Sequence, residues 1–230
     1  MIDNMGLCGS SNVKYRINNP VSEITCPEGA LIVQPGLNSL SKAVKEAKEK
    51  DIDCLFLLNG MHDEKGGDVE IDFALKVVGQ NKDDVKIRAG LVIKGKKEED
   101  VFFTDLTVTG ANGTGVDGYN GAAMHLKNVC VEKCDFGVWV RFTTRNTMTD
   151  CNVNNNAGVG VFLRDGGCMI IDGSATTIHH NVKMGLSDWY GLHAYSSSDS
   201  IHIKSLTKEY ISTNNGGGGN YGGCGTIKTI

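Results

Sequence analysis

The chain has 230 residues, of which 40% are hydrophobic and 22% charged, and its formal net charge is −4. This length suits one domain or one elongated solenoid, and the apolar content excludes a disordered chain. The acidic balance argues against a general nucleic-acid binder, which is usually basic. No run of 18 apolar residues exists, so we expect no transmembrane helix and no membrane partner.

The N-terminal residues show no basic segment followed by an apolar stretch, so no secretory signal is predicted. We therefore expect an intracellular or virion-associated protein rather than a classically secreted one. The chain has 8 cysteines but no C-x-x-C pair, which argues against a zinc or redox site. A chain of this length does not need disulfides, so the thiols are predicted to be mostly reduced and buried.

One helix is predicted near the N-terminus. Small and aliphatic residues recur there at the i, i+3, i+4, i+7 spacing of an amphipathic helix: Leu40, Ala43, Val44 and Ala47. Ser39 or Asn38 can cap its first turn, and the helix is expected to end near Lys50. The apolar run at residues 52–58 follows and is predicted to be a buried strand.

From residue 69 onward the sequence becomes repetitive. Short β-rich segments are each closed by Gly, Asn or Asp, and the chain has 30 Gly but only 3 Pro. These segments follow one another too closely for a β-sandwich, whose strands are longer and whose turns lie farther apart. A coil of about 20 residues that holds two or three short strands fits the spacing better.

Four segments that begin with glycine give the strongest internal repeat. They read GAAMH, GVWVR, GVFLR and GLHAY, at residues 121–125, 137–141, 160–164 and 191–195. The first and third residues after each glycine are apolar, and alternate residues of a strand point to opposite faces. The repeat therefore predicts that the segments stack one coil apart, with these apolar residues inside and the second and fourth residues outside.

This pattern resembles the right-handed parallel β-helix (pectin-lyase-like) superfamily. The residues that carry the resemblance are the helix at 40–47 and the segments LLNG, VEI, LKVVG, VKI and LVIKG at 57–60, 69–71, 75–79, 85–87 and 91–95. The resemblance covers roughly residues 36–215. It implies an all-β fold, a single right-handed parallel β-helix (solenoid) with an N-terminal capping α-helix at about residues 40–50. Residues 1–35 are then predicted to be an N-terminal extension and residues 216–230 a Gly-rich C-terminal tail.

The outward residues of the four segments form the candidate site. They are predicted to make a column of His125, Arg141, Arg164 and Tyr195, flanked by Trp139, Phe162 and His193. Guanidinium groups pair with carboxylates, and aromatic rings offer flat faces to sugar rings, so the column is suited to an acidic polysaccharide. Two other interpretations stay open: large residues that only cover a sheet, and an interface with a protein partner or a second copy in a homo-oligomer.

Members of the superfamily include polysaccharide lyases, hydrolases, epimerases, viral tailspikes and non-enzymatic binding modules, so the fold alone implies no activity. Elimination would need a base (His125 or His193), an acid (Tyr195) and a cation that stabilises the enolate (Arg141 or Arg164). The sequence favours a non-enzymatic scaffold for a polysaccharide or protein partner, in some larger assembly such as a virion. A lyase or epimerase acting on an acidic glycan is the alternative.

No cofactor or metal is predicted. The acidic residues near the column form no ladder that would hold calcium: Asp135, Asp150, Asp165 and Asp172. The neighbours His179 and His180 are expected to point to opposite faces of a strand, where they could not share one ion.

Overall fold

A computed structural model describes residue 7 and residues 26–230. Within that part, twenty strands pair in one continuous parallel sheet that winds around a main core, and two helices accompany them, α1 (Ser39–Lys50) and α2 (Lys208–Ile211). The predicted all-β solenoid and its N-terminal helix are therefore confirmed.

The strands form three ladders, in which each strand pairs with the strands one coil before and one coil after. The first ladder contains β1 (Leu31–Val33), β3 (Cys54–Leu57), β5 (Leu75–Gly79), the first halves of β7 (Asp100–Thr109) and β9 (Ala123–Glu132), β11 (Asn146–Thr149), β14 (Cys168–Asp172), β17 (Ser200–Ile203) and β20 (Thr226–Thr229). The second contains β2 (Gly36–Leu37), the first halves of β4 (Gly60–Ile71) and β6 (Val85–Ile93), the second halves of β7 and β9, β12 (Asn152–Asn154), β15 (Thr177–His179) and β18 (Ser212–Thr213). The third contains the second halves of β4 and β6, β8 (Thr114–Tyr119), β10 (Phe136–Arg141), β13 (Val161–Arg164), β16 (Tyr190–Ala194) and β19 (Gly219–Gly223).

The core is built from inward residues that stack coil upon coil. In strands such as β6 and β9 alternate residues are buried over most of the length, as the period-two pattern predicts. Along the first ladder one such column is Leu55, Val77, Phe103, Leu126, Met148, Ile171 and Ile203. Because equal positions of successive coils are neighbours, a repeat of short apolar segments is sufficient to form a continuous core.

Buried asparagines support the corner between the second and third ladders. Asn156 Oδ1 accepts the Cys134 N–H at 3.0 Å, and Asn156 Nδ2 donates to the Val131 carbonyl at 3.2 Å. Asn181 and Asn215 make the corresponding bonds in the next two coils. Each amide side chain thus satisfies backbone groups that the strands leave unpaired at the turn.

Glycines at the start of the third-ladder strands allow this corner to be tight. A Cβ on Gly137 would lie 2.3 Å from the Gly160 carbonyl oxygen, and a Cβ on Gly160 would lie 2.8 Å from the Gly191 carbonyl oxygen. Real Cβ atoms do not approach so closely, so only glycine fits. The glycines of the sequence repeat are therefore explained by close contact between coils.

Helix α1 occupies the chain position that a third-ladder strand would take in the first coil. Its apolar face joins the main core. Asn38 is the N-cap residue, one of the two predicted, but its side chain makes no capping bond, and the Ser39 hydroxyl lies 2.9 Å from His62 Nδ1. Instead, the Glu64 carboxylate from the next coil accepts the Leu40 and Ser41 N–H groups at 2.9 and 3.1 Å. A carboxylate at this position also interacts favourably with the helix dipole.

The predicted boundaries of the solenoid are too narrow at both ends. Strand β1 lies inside the predicted N-terminal extension and pairs with β3. Residues 216–230 are not a simple tail, because β19 and β20 within them pair with β16 and β17 and build the last coil. The preformed edge of the preceding coil supplies the hydrogen bonds that a glycine-rich segment lacks on its own.

Cysteines are distributed along the solenoid as free thiols, at Cys54, Cys130, Cys134, Cys151, Cys168 and Cys224. Cys8 lies outside the described residues. Burial raises the pKa of Cys134 to about 11 and that of Cys151 to about 12, so these two thiols are inert small hydrophobes. Cys224 is exposed, unlike the buried thiols that the sequence predicted.

We expect Asn156→Ala to lower the free energy of unfolding by about 2–4 kcal/mol, because it leaves the Cys134 N–H and the Val131 carbonyl buried without partners. Asn81→Ala is the control, since the Asn81 side chain accepts one hydrogen bond at an exposed turn, and it should change the value by less than about 1 kcal/mol. Urea unfolding measures both. Equal losses in the two variants would contradict a structural role for the buried amide.

Candidate functional site

Three of the four glycine-led segments stack as predicted. Strand β10 pairs with β13 and β13 with β16, so that Trp139, Phe162 and His193 are neighbours in successive coils. Arg141 pairs with Arg164 in the same way. The backbone of Tyr195 continues this register, since its N–H donates to the Leu163 carbonyl at 3.0 Å.

The prediction that His125 begins this column is wrong. His125 lies in β9 on the first ladder, where it pairs with Phe102 and Thr147 of the adjacent coils. The coil that precedes β10 in the third ladder is β8, at residues 114–119. Its GVDGY sequence at residues 115–119 shares with the other three segments a leading glycine and an apolar residue after it, and Asp117 and Tyr119 occupy the positions of the two outward residues. That pattern, 22 residues before Gly137, was the signal that would have identified Asp117 and Tyr119.

His125 belongs instead to a closed network on the first ladder. Its Nδ1 lies 2.9 Å from Thr147 Oγ1, and its Nε2 lies 3.1 Å from Asp100 Oδ1. Arg145 Nη1 contacts the same Asp100 oxygen at 2.8 Å, and Phe102 stacks on the imidazole with a centroid distance of 4.6 Å. Both ring nitrogens therefore have partners within the protein, which indicates a structural role for this histidine.

The outward residues of the third ladder form one continuous row, which we call the outer strip. It consists of Asp117, Tyr119, Trp139, Arg141, Phe162, Arg164, His193 and Tyr195. Along it the ring centroids of Trp139 and Phe162 are 5.1 Å apart, and those of Phe162 and His193 are also 5.1 Å apart. Trp139, Phe162 and His193 thus make a row of adjacent rings over three successive coils.

Two arginines line one side of the outer strip. The Arg141 guanidinium lies 4.7 Å from the Tyr119 ring centroid and 4.3 Å from that of Trp139, and its Nη2 is 2.5 Å from Asp117 Oδ2. The Arg164 guanidinium lies 5.2 Å from the Tyr195 ring centroid and has a loose contact of 3.5 Å with Asp165. Arg141 is thus held by an ion pair and two rings, whereas Arg164 is the more exposed cation.

Burial changes the chemistry of the polar residues in the outer strip. Asp117 is only 8% exposed, and burial raises the pKa of its carboxyl despite the opposing effect of Arg141. His193 is 4% exposed, and burial lowers the pKa of its imidazole, which favours the neutral form. The Asp117 carboxyl is consequently easier to protonate than usual, and the His193 imidazole is harder to protonate than usual.

Four buried side-chain atoms in the described residues lack a hydrogen-bond partner, and all four belong to the outer strip: Asp117 Oδ1, Trp139 Nε1, Arg141 Nε and His193 Nδ1. Buried polar atoms are nearly always satisfied in folded proteins, so a cluster of exceptions requires an explanation. These four atoms are one hydrogen-bond acceptor, two donors and one imidazole nitrogen that can donate or accept. A polar ligand that both donates and accepts hydrogen bonds would satisfy them.

Concave sites elsewhere do not include the outer strip. One depression of about 380 Å³ lies beside Lys76, Phe102 and Glu98, and another of about 490 Å³ lies beside Phe142 and Arg145. Neither contains a residue of the outer strip. These two depressions are therefore separate from the outer strip.

The histidine pair lies at a corner rather than along a strand. His180 has φ 55, so its ring turns toward that of His179, and the two Nδ1 atoms are 2.7 Å apart. The expectation that the two rings point to opposite faces is therefore wrong. Burial and the neighbouring His180 lower the pKa of His179. Among the described residues no group of three or more metal-ligating side chains comes together.

We expect Arg141→Met to lower the free energy of unfolding at neutral pH by about 2 kcal/mol, because it leaves the Asp117 carboxylate buried without its cation. The loss should shrink as pH falls, since protonation of Asp117, whose pKa is already raised, removes the unpaired charge. Arg164→Met is the control and should cost less than about 1 kcal/mol, because Arg164 is about half exposed. Denaturant unfolding over a pH series measures both. A pH-independent deficit in Arg141→Met would contradict this explanation.

No helix of the described residues is long and apolar enough to cross a membrane.

Comparisons with known proteins agree with this geometry. No curated protein and no solved structure matches the chain. The family model described as the right-handed β-helix region matches residues 79–229, more than half of the chain and nearly all of the third ladder. The chain therefore belongs to the right-handed β-helix family.

Proposed function

We propose that this protein is a binding scaffold that holds an extended glycan along the outer strip. The observation that carries the proposal is the set of four unpartnered polar atoms, which lie together on a row of aromatic rings. Aromatic faces pack against the apolar faces of sugar rings, and hydroxyl groups both donate and accept hydrogen bonds. One ligand class thus meets both properties of the surface.

The dimensions of the outer strip suit a chain-like ligand. Three steps of about 4.8 Å between four coils give it a length of about 14 Å. Tyr195 is 49% exposed at one end, and Trp139 is half-buried in the middle. A ligand that runs parallel to the axis of the solenoid would therefore contact the accessible parts of Tyr195 and Trp139, whereas the Phe162 and His193 rings are only 8% and 4% exposed.

A protein partner or a second copy would also favour Trp, Tyr and Arg. The core of a protein interface, however, is usually depleted of charged residues, and the outer strip keeps the buried carboxyl of Asp117, which pairs with Arg141 through one oxygen and leaves the other without a hydrogen bond. A hydroxyl-rich ligand fits this acceptor better than an apolar side chain of a partner. A glycan is therefore favoured over a protein.

We expect Tyr195→Ala to weaken glycan binding by roughly tenfold, which corresponds to the loss of one stacking contact. Phe102→Ala is the matched control, because Phe102 is also an exposed ring, 38% accessible, but lies on the first ladder away from the outer strip. Immobilised glycans screen for a ligand, and calorimetric titration compares the variants. Equal losses in both variants, or no glycan bound by the wild type, would reject the proposal.

A lyase is the second candidate, because His193, Tyr195 and Arg164 converge in two neighbouring coils. The His193 and Tyr195 ring centroids are 5.8 Å apart, and Arg164 stands over the Tyr195 ring. A neutral His193 can take the proton beside a sugar carboxylate, Tyr195 can protonate the leaving oxygen, and Arg164 can stabilise the enolate. His193 is nearly buried, however, and would have to move to reach a substrate.

The lyase candidate predicts that alginate, polygalacturonate or hyaluronan incubated with the protein gains the ultraviolet absorbance of an unsaturated sugar. Tyr195→Phe should abolish the gain, because it removes the hydroxyl that donates the proton while it keeps the ring that stacks. Arg164→Ala should abolish it as well, through loss of the enolate's cation. A flat trace with all three substrates would remove this candidate and leave the binding scaffold.

A further inference from the structure

The chemistry of the outer strip also bears on the kind of sugar that it holds. Resting on the proposed glycan function, we infer that Asp117, Trp139 and Arg141 recognise an uncharged sugar through neighbouring hydroxyl groups, and not a sugar carboxylate. These three residues lie in two adjacent coils and hold three of the four unpartnered atoms. This inference differs from the sequence-based prediction, in which Arg141 and Arg164 favour an acidic polysaccharide.

The cationic side chains around Asp117, at the N-terminal end of the outer strip, are already paired with carboxylates. Arg141 is neutralised, since its Nη2 lies 2.5 Å from Asp117 Oδ2 in a half-buried position. Lys94, in the preceding coil, is likewise paired with Glu70 at 2.5 Å. A ligand carboxylate would compete with Asp117 for one guanidinium and lie beside a second negative charge in a partly desolvated site, which is unfavourable.

The free hydrogen-bonding atoms match hydroxyl groups. They are one acceptor, Asp117 Oδ1, and two donors, Arg141 Nε and Trp139 Nε1. A hydroxyl group can donate to Asp117 Oδ1 while it accepts from Arg141 Nε, and a neighbouring hydroxyl can accept from Trp139 Nε1. A carboxylate has no proton to donate, so it would leave the buried Asp117 oxygen unsatisfied. A pair of neighbouring hydroxyl groups therefore completes the set, and a carboxylate at the same position does not.

The Arg141 side chain lies over this part of the outer strip. The Arg141 guanidinium stands over the Tyr119 and Trp139 rings, and its side chain is 27% exposed. A ligand reaches Asp117 Oδ1 and Trp139 Nε1 when the guanidinium tilts off the Trp139 ring, a rotamer change of the kind that is common at binding surfaces, and it then accepts from Arg141 Nε of the moved side chain. The displaced guanidinium uncovers the Trp139 face, which then becomes a platform for the sugar ring.

The test compares a neutral set of glycans (a glucan, a galactan and a mannan) with an acidic set (alginate, polygalacturonate and hyaluronan) by calorimetric titration with the full chain. We expect a neutral glycan to bind at least roughly tenfold more tightly than any acidic one, with an affinity that changes little with salt. Asp117→Asn should reduce neutral binding by about tenfold and raise acidic binding, because it frees Arg141.

Trp139→Phe is the second variant, which keeps an aromatic ring, although a smaller one, and removes the Nε1 donor. Its affinity for the neutral glycan should fall several-fold. Thermal unfolding shows whether Asp117→Asn folds, and Trp139→Phe keeps the inference testable if it does not. Phe102→Ala should leave binding unchanged. If the wild type prefers an acidic glycan, the neutral assignment is overturned while the proposed glycan function stands.

Two further outcomes would also count against the inference. If both variants retain full neutral binding, these residues are not the recognition site. If the wild type binds neither set, the proposed glycan function fails, and the inference fails with it. Each result is thus distinguishable from an acidic preference.

Discussion

Hydrogen bonding in register between successive coils is the constraint on which the rest of this structure depends. Each strand of a ladder pairs with the strand one coil away, so a side chain has as nearest neighbours the side chains at the same position of adjacent coils. Inward apolar residues then stack into a core, and outward residues stack into rows. At the corners, where strand pairing stops, Asn156, Asn181 and Asn215 provide the hydrogen bonds that hold the coils in register.

The same register determines both the ring packing of the outer strip and its polar atoms without partners. It places Trp139 on Phe162 and Phe162 on His193, so the rings pack against one another and shield neighbouring polar atoms. Asp117 is brought under Arg141, where burial opposes its ionisation. Trp139 Nε1 and His193 Nδ1 are left without partners as a consequence. Polar atoms of this kind destabilise a fold unless a ligand or water meets them, which is why the outer strip stands apart from the other faces.

The first ladder shows the contrast. His125 has partners on both ring nitrogens, in Thr147 and Asp100, and Arg145 completes the charge balance. Nothing in that network remains to be satisfied by another molecule. Two histidines with similar sequence surroundings thus differ in role, since the partners around His125 are complete and those around His193 are not.

The sequence by itself determined the solenoid, the helix at residues 40–47, and which residues face inward or outward at 137–141, 160–164 and 191–195, because a glycine and the period-two alternation are local properties. Only the tertiary structure decided that Gly115, and not Gly121, begins a third-ladder strand, that Glu64 caps α1, and that β19 and β20 extend the rod. Each of these depends on which residues meet after a turn of variable length. Local sequence does not determine which residues pair across such a turn, because hydrogen bonding to the neighbouring coil selects the pairing.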